Sequence, residues 1–423
     1  MVKFNIENNS KKKAMWERAK KIIPSGNNFL SKNPSRFPVK NWPIYFSKSK
    51  GCQIWDLNKK KYYDFCFMGV GTNILGYNNN FVNKGIKKIL LTGNMTTLNC
   101  VEEVILAEKL IKIHPWASQV KFARTGAEAN SIAVRLARAT TGKEKVIVCG
   151  YHGWHDWYLS ANLSKKNNLD THLFPNLKTA GVPKYMKNNT YSIKYNEFNE
   201  LSKIIKKNKK KIACLIMEVE RDSKPKNNFL QKVRKICTLN DIILIFDECT
   251  TGFRETYGGL HLKYKVYPDL AMFGKALGNG YAITAVIGKK KIMKKSKDTF
   301  MSSTFWSERI GYMAGIKTLE RMYMIKSWVN VKKKGIYIKK KLVEIGKKYN
   351  LNLKIIGIDT LFKFYIQNAK NNNYLNFLTS EMLSRGFLAT NALYISVSHS
   401  KKLINLYLNA IDQIFQKISK KFI

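Results

Sequence analysis

A chain of 423 residues, 45% of them hydrophobic, is too long for one small core, so a large domain with a smaller companion is expected and disorder is excluded. The formal net charge of +47 comes from short basic runs spread along the whole length, among them Lys11–Lys13, Lys59–Lys61, Lys209–Lys211, Lys289–Lys291 and Lys332–Lys334. With no basic tail, no aromatic-interleaved stripe and no zinc-finger spacing, that pattern reads as lysine on solvated faces, and nucleic acid is not expected as the main ligand.

In chain order, residues 1–75 read as an irregular N-terminal arm, belonging with the small domain, with short strands at Ile54–Leu57 and Tyr62–Phe65. Its first stretch, MVKFNIENNSKKK, lacks the apolar centre of a signal peptide. From 76 to 310, short apolar runs bounded by Gly, Asp or Lys predict buried strands at Val120–Ala123, Val146–Cys149, Ala213–Met217, Ile242–Phe246, Leu270–Phe273 and Ala285–Ile287. Helical stretches lie between several of them. Ala129, Ile132, Ala133, Leu136 and Ala137 recur at helical spacing, and Gly142 is placed to end that helix. Alternating strands and helices predict an α/β fold, a mostly parallel central sheet with helices on both faces. From 311 to 423 a long helix, strands near Lys354–Ile356, Phe362–Ile366 and Phe387–Val397, and an amphipathic helix from Leu403 to Ile418 predict a smaller α+β C-terminal domain. Seven cysteines lie far apart without Cys-x-x-Cys spacing, which argues for a reducing compartment. No run reaches the roughly 18 apolar residues of a membrane span, so a cytoplasmic protein with no membrane partner is expected.

Four motifs carry chemistry. Arg124-Thr125-Gly126-Ala127-Glu128-Ala129-Asn130 follows an apolar strand. Thr125 and Glu128 form a capping-box pattern, and Gly126 allows backbone N–H groups to approach a phosphate at the helix's positive end. Asp247 ends the run Ile245-Phe246, where the carboxyl end of a parallel strand points into a ligand crevice. Lys275 stands alone in the glycine-rich, otherwise uncharged stretch Leu270–Ile287. Such surroundings lower a lysine's pKa and make it an amine nucleophile. Gly150-Tyr151-His152-Gly153-Trp154-His155 supplies an aromatic that stacks on a flat ring. His152 and His155 have H-x-x-H spacing, but no third ligand completes a metal set, and no metal is expected. A phosphate, a ring nitrogen needing an acid, a ring face needing an aromatic and an aldehyde needing a lysine together describe pyridoxal 5'-phosphate (PLP).

Through these motifs the sequence resembles the class III aminotransferases, which are fold-type I PLP-dependent transferases, and in particular the branch containing glutamate-1-semialdehyde 2,1-aminomutase. The resemblance runs in order through Thr125-Gly126-Ala127-Glu128-Ala129, Tyr151-His152-Gly153, Phe246-Asp247-Glu248 with Thr251-Gly252-Phe253-Arg254, Pro268-Asp269-Leu270 with Gly274-Lys275, and Ser303-Thr304. It implies that Lys275 forms a Schiff base with the cofactor and that Asp247 holds the pyridine nitrogen protonated. Tyr151, with His152 beside it, would cover the ring. Gly126 and Ala127, with Thr125 beside them, would bind the phosphate, and Thr304 would reach the phosphate in a neighbouring subunit, making the protein a homodimer with shared active sites. Glu218-Val219 replaces the usual Glu-Pro, and Gly278-Asn279-Gly280 followed by Ala282 replaces the usual triple-glycine run and its proline. Ser303–Glu308 departs from the aminomutase's small-residue run and looks more like aminotransferases acting on modified sugars or other carbonyl compounds.

The expected reaction is a ping-pong amino transfer from a small-molecule donor to a carbonyl acceptor, with Lys275 moving the proton. The alternative is the intramolecular aminomutase reaction, for which the polar segment Leu159–Lys184 would serve as a lid unless it is a surface insertion. A basic nucleic-acid-binding protein on an inactive PLP fold is the distant third reading. Arg36, Arg124, Arg221 and Arg254 are the candidate ligands for a substrate carboxylate.

Overall fold

The computed structural model describes residues 9–37, 39, 41–172 and 175–423, with side chains from 14 onward. The segment from which no leader peptide is expected lies largely outside them. The chain separates into two compact units: Phe81–Val329, and residues up to Asn80 together with Asn330–Ile423.

Three short strands, β1 (Phe46–Lys50), β2 (Gln53–Asp56) and β3 (Lys61–Asp64), form an antiparallel meander in the second of these units. They match the two N-terminal strands expected from sequence to within a residue and add an exposed edge strand whose polar sequence, FSKSK, gave no apolar signal.

Unit Phe81–Val329 is built on seven strands: β4 (Gln119–Ala123), β5 (Lys145–Cys149), β6 (Thr190–Ser192), β7 (Ile212–Glu218), β8 (Ile243–Asp247), β9 (Leu270–Phe273) and β10 (Thr284–Gly288). Their order is β4-β10-β9-β8-β7-β5-β6. All six predicted strands are present. The seventh, β6, is a three-residue edge strand of mixed polarity, too short for an apolar pattern. The central β7 is buried at every position, as a strand covered on both faces must be. β10 runs antiparallel to both its neighbours. The stretch 274–283 between β9 and β10 is too short for the crossover of a dozen or more residues that a parallel return needs. Helix Gly126–Thr141 packs Ala129, Ile132, Ala133, Leu136 and Ala137 against the sheet and ends at Gly142, whose φ is 65°.

The other unit continues with β11 (Leu353–Ile358), β12 (Leu361–Ile366), β13 (Phe387–Leu388) and β14 (Ala392–Tyr394). The run Phe387–Val397, expected as one strand, is two. β13 adds in parallel to β3, whereas β14 pairs with β12 in a separate sheet. The break falls at Thr390, whose hydroxyl accepts the Ala392 N–H at 3.1 Å and bends the chain. The long helix expected after 311 is likewise two, Arg309–Ile325 and Ser327–Lys348, interrupted at Lys326 with φ 44°. The last helix, Lys401–Phe422, buries Ile404, Tyr407, Leu408, Ile411, Ile414, Phe415 and Ile418 along one stripe. Among the described residues no helix is long and apolar enough to cross a membrane.

Candidate active site

The chemistry-bearing residues of unit Phe81–Val329 gather where its parallel strands end. β4 ends at Ala123 and leads, through Arg124 and Thr125, into the helix that begins at Gly126. The capping box is complete. Thr125 Oγ1 accepts the Glu128 N–H at 3.3 Å, and Glu128 Oε2 accepts the Thr125 N–H at 2.8 Å and the Arg124 N–H at 3.1 Å. The N–H groups of Gly126 and Ala127, first in the helix, have no intrahelical acceptor and face the positive end of the dipole, an arrangement suited to a phosphate. The loop after β5 is pressed onto this helix start. A Cβ on Gly153, whose φ is 110°, would lie 2.8 Å from Cβ of Ala127, so both space and backbone angle demand glycine.

Asp247, the last residue of β8, is buried and clasped from three directions. His152 Nδ1 and Asn130 Nδ2 each donate to Oδ2 at 2.9 Å, and the Cys249 N–H donates to Oδ1 at 3.0 Å. Burial works against its charge, but these donors outweigh it and hold the carboxyl below its usual range. Asn130 Nδ2 also donates to the His152 carbonyl at 2.9 Å, which locks the loop to the helix. His152 Nε2 and Asn130 Oδ1 are buried without a protein partner among the described residues.

Lys275 follows β9 at a sharp turn. Its φ is 43°, a left-handed conformation in which a residue with a Cβ is held only when its surroundings impose it. Its Nζ donates to Thr250 Oγ1 at 2.7 Å. Burial first, then the positive charge of Arg221, pulls the Lys275 amine down to about 8. Thr250 is fixed in turn by the buried Arg254, whose Nε donates to the Thr250 carbonyl at 2.5 Å.

Glu218, the last residue of β7, stands directly across the strand pair from Asp247. Its Oε2 accepts the Tyr151 N–H at 3.3 Å and its Oε1 pairs with Arg221 Nη1 at 2.9 Å. Tyr151 is partly buried, with burial raising its phenol. Behind Asp247 lies a second buried polar chain. Glu248 Oε1 accepts both the His261 N–H and Nδ1–H at 2.9 Å, and His261 Nε2 accepts from Trp116 at 3.0 Å.

Thr304 is exposed on a turn, Thr304–Ser307. Arg124 anchors that turn, donating to the carbonyls of Phe305 at 2.8 Å, Trp306 at 2.9 Å and Glu308 at 2.8 Å. Arg124 and Arg254 hold backbone in place, although Arg124 Nη1 is buried without a partner among the described residues, and the positive charges of Arg221 and Arg254 both act on Lys275. Arg36 is exposed. The His152 and His155 rings diverge. His155 Nδ1 pairs with the Ser131 hydroxyl, while His152 turns to Asp247. In segment 159–184, of which 173 and 174 lie outside the described residues, Ala161 and Leu169 are fully buried in the sheet's core cluster and anchor the segment. Sequence reasoning assigned no role to Asn130, Thr250 or Glu218. Asn130 lies one helical turn beyond Gly126, on the same face, which is a signal that could have found it. Thr250 and Glu218 become visible only when strands from distant parts of the sequence are laid side by side.

The donor set fits PLP: helix-start N–H groups for its phosphate, an ionised buried carboxylate for its ring nitrogen, an aromatic loop for its ring face, and a lysine amine of lowered basicity for its aldehyde. Comparison with known proteins agrees. The family described as aminotransferase class-III matches residues 36–420. A glutamate-1-semialdehyde 2,1-aminomutase of Methanocaldococcus jannaschii is 30% identical over 429 residues, covering 96% of this chain and 98% of the relative. That of Methanobrevibacter smithii is 34% identical over 366 residues, covering 84% and 83%. Among solved structures, the PLP internal aldimine form of the FumI protein of Sphingopyxis sp. MTA144 superposes with a TM-score of 0.88 at 24% identity, covering 97% of each chain. An omega-transaminase from Sphaerobacter thermophilus does so with a TM-score of 0.87 at 21% identity, covering 98% of this chain and 99% of that one. The fold is that of the fold-type I PLP transferases, and the chain belongs to the class III aminotransferases, enzymes that work with pyridoxal 5'-phosphate.

Proposed function

We propose that this enzyme moves an amino group between neighbouring carbons of one small carbonyl substrate, as a 2,1-aminomutase of the glutamate-1-semialdehyde type. The observation that carries this choice is the run of relatives bearing that name at about 30% identity over nearly the whole chain. PLP, when bound, supplies an aldehyde for reversible carbon–nitrogen exchange and a ring that takes up an electron pair. The rest falls to the chain's own residues. Gly126 and Ala127 N–H groups hold the phosphate and Tyr151 covers the ring. Asp247, kept ionised by His152 and Asn130, holds the proton on the ring nitrogen and so stabilises negative charge developing on the substrate carbon. Lys275 Nζ, neutral in an appreciable fraction near neutral pH, takes a proton from one carbon and returns it to another, steered by its hydrogen bond to Thr250.

One observation favours a second reading, an intermolecular aminotransferase. The segment Ser303–Glu308 carries Phe305 and Trp306, bulkier than the aminomutase's run, and Arg124 holds the backbone at both. Turnover separates the two. An aminomutase converts glutamate-1-semialdehyde alone, to completion, with catalytic enzyme. An enzyme that requires a separate donor and acceptor, with parallel-line ping-pong kinetics, sinks the aminomutase reading.

The homodimer is part of the proposal. On unit Phe81–Val329, Leu91 is 87% exposed, Leu98 82% and Phe300 90%, with Leu90, Val101, Val104 and Phe305 also exposed. So many large apolar side chains exposed on one unit are what a subunit interface covers. Thr304 precedes Phe305, one of these residues, on the exposed turn, which supports its reaching a neighbouring site.

A further inference from the structure

We propose that Arg124 is a positioning residue that acts across the subunit boundary: it holds the turn that carries Thr304 in the shape that completes the phosphate site of the neighbouring subunit. The inference rests on the homodimer proposed above. The backbone of Arg124 precedes Thr125, the N-cap of helix Gly126–Thr141, whose first N–H groups suit the phosphate of its own subunit. Its side chain reaches away to the turn Thr304–Ser307. Nε donates to the Phe305 carbonyl at 2.8 Å, and Nη2 donates to the carbonyls of Trp306 at 2.9 Å and Glu308 at 2.8 Å. Three carbonyls from one short stretch thus converge on a single rigid fork. The guanidinium lies over the Tyr312 ring, 4.9 Å from its centroid, and the Tyr312 hydroxyl donates to the Trp306 carbonyl as well. Nη1 is enclosed against Gly311, where a Cβ would lie 2.8 Å from it, and the side chain is only 11% exposed. A fork enclosed in this way and engaged with backbone suits a brace, not a ligand-binding group.

Glu128 makes a second tie in parallel. Its Oε2 closes the capping box on Thr125, while its Oε1 accepts the Trp306 Nε1–H at 3.2 Å. Burial opposes its charge, but the donors from Thr125, Trp306 and Arg124 outweigh it and hold the carboxyl below its usual range. Glu308 fixes the far end of the turn. Its side chain accepts the Ile310 N–H at 2.9 Å and the Gly311 N–H at 3.0 Å and so caps helix Arg309–Ile325. Thr304 and Phe305 stay exposed, and the Thr304 hydroxyl has no hydrogen-bond partner among the described residues. A four-residue turn does not keep one shape in water unaided, because its few internal contacts do not offset the entropy of ordering it. Arg124 and Glu128 supply the missing contacts. The cradle for one phosphate and the turn offered to the other are thereby joined by two side chains.

The test uses full-length hybrid dimers, isolated through two affinity tags, in which one subunit carries Lys275→Ala. Borohydride then fixes PLP only in the subunit that keeps Lys275, and the labelled fraction against PLP concentration gives the Kd of that one site. Arg124→Gln placed in the Lys275→Ala subunit should weaken the other subunit's site by about ten-fold or more, and Arg124→Lys there should restore part of the affinity. Arg124→Gln placed instead in the subunit that keeps Lys275 should cost less than about two-fold. Both placements contain the substitution once per dimer, so a folding defect would weaken both alike. Thr304→Ala in the Lys275→Ala subunit should reproduce the loss, and adding it to Arg124→Gln there should deepen the loss little, because the two act in series. Equal losses in the two placements, a loss confined to the subunit that is labelled, or no loss at all overturns the assignment. A loss from Arg124→Gln with none from Thr304→Ala upholds the brace and removes Thr304 as the group it presents. Wild-type protein that sediments as a monomer sinks the homodimer reading itself, and the inference falls with it.

Discussion

His152 Nδ1 lies 2.9 Å from Asp247 Oδ2, both groups are buried, and the same oxygen takes a second hydrogen bond from Asn130 at 2.9 Å. The acid at the end of β8 is therefore fixed in both charge and direction before any ligand arrives, which is the preorganisation that electrostatic catalysis requires.

Replacing Asp247 with asparagine keeps the shape and removes the charge. We expect cofactor content to persist and the single-turnover rate of amine-driven bleaching to fall by about 100-fold or more. His152→Gln leaves the carboxylate but loosens it, and a smaller loss of about ten-fold is expected. Equal losses in the two variants would contradict the division of roles.

Lys275→Ala should give a protein that borohydride cannot label at position 275, with no bleaching by any amine. For the wild type, the neutral amine is the reactive form and its basicity is lowered to about 8. The rate of PLP uptake by apo-protein should therefore rise with pH through about 8 and level off above it. Removing the nearby positive charge in Arg221→Gln should move that midpoint to higher pH. A profile centred near 10.5, the ordinary lysine value, would rule out the burial argument.

Acid stability follows from Asp247, Glu248 and Asp269, all held below their usual values although burial opposes the charge of each. For such groups the stabilisation is complete above the unfolded pKa, near 4, and is lost as pH falls through the lower folded value. Urea midpoints should thus be flat from pH 7 to about 5 and drop below about 4. Glu248→Gln breaks a fully buried pair with His261 and should cost about 3 kcal/mol or more at pH 7 while making the acid limb shallower.

Gly153→Ala forces a methyl to within 2.8 Å of Ala127 and places a side chain at φ 110°. The loop must lift from the helix start. A loss of about 1–3 kcal/mol in stability and a weaker hold on PLP are expected, read by thermal unfolding and by dilution-induced cofactor release.

Leu91→Glu combined with Leu98→Glu places charges on two of the exposed apolar side chains proposed as the subunit face. If this face joins two copies, sedimentation should show monomers, and PLP affinity should fall because the residue at 304 no longer reaches a neighbouring site. A variant that stays dimeric with full activity would locate the interface elsewhere.

What the sequence determined by itself was whatever depends on neighbours along the chain. The apolar runs of β5, β7, β8, β9 and β10 declared themselves because these strands are buried on both faces, that of β4 because its last two residues are buried, and the Thr125–Glu128 cap and the solitary Lys275 are likewise local patterns. The polar edge strand β1, the split of Phe387–Val397 between two sheets and the break at Lys326 were not legible, because each depends on which remote segment the backbone meets. The same holds for function. Thr250 is 25 residues from Lys275, and Asn130 is 117 from Asp247. Hydrogen bonds act over about 3 Å, so only the tertiary arrangement of strands and helix could decide that these groups touch.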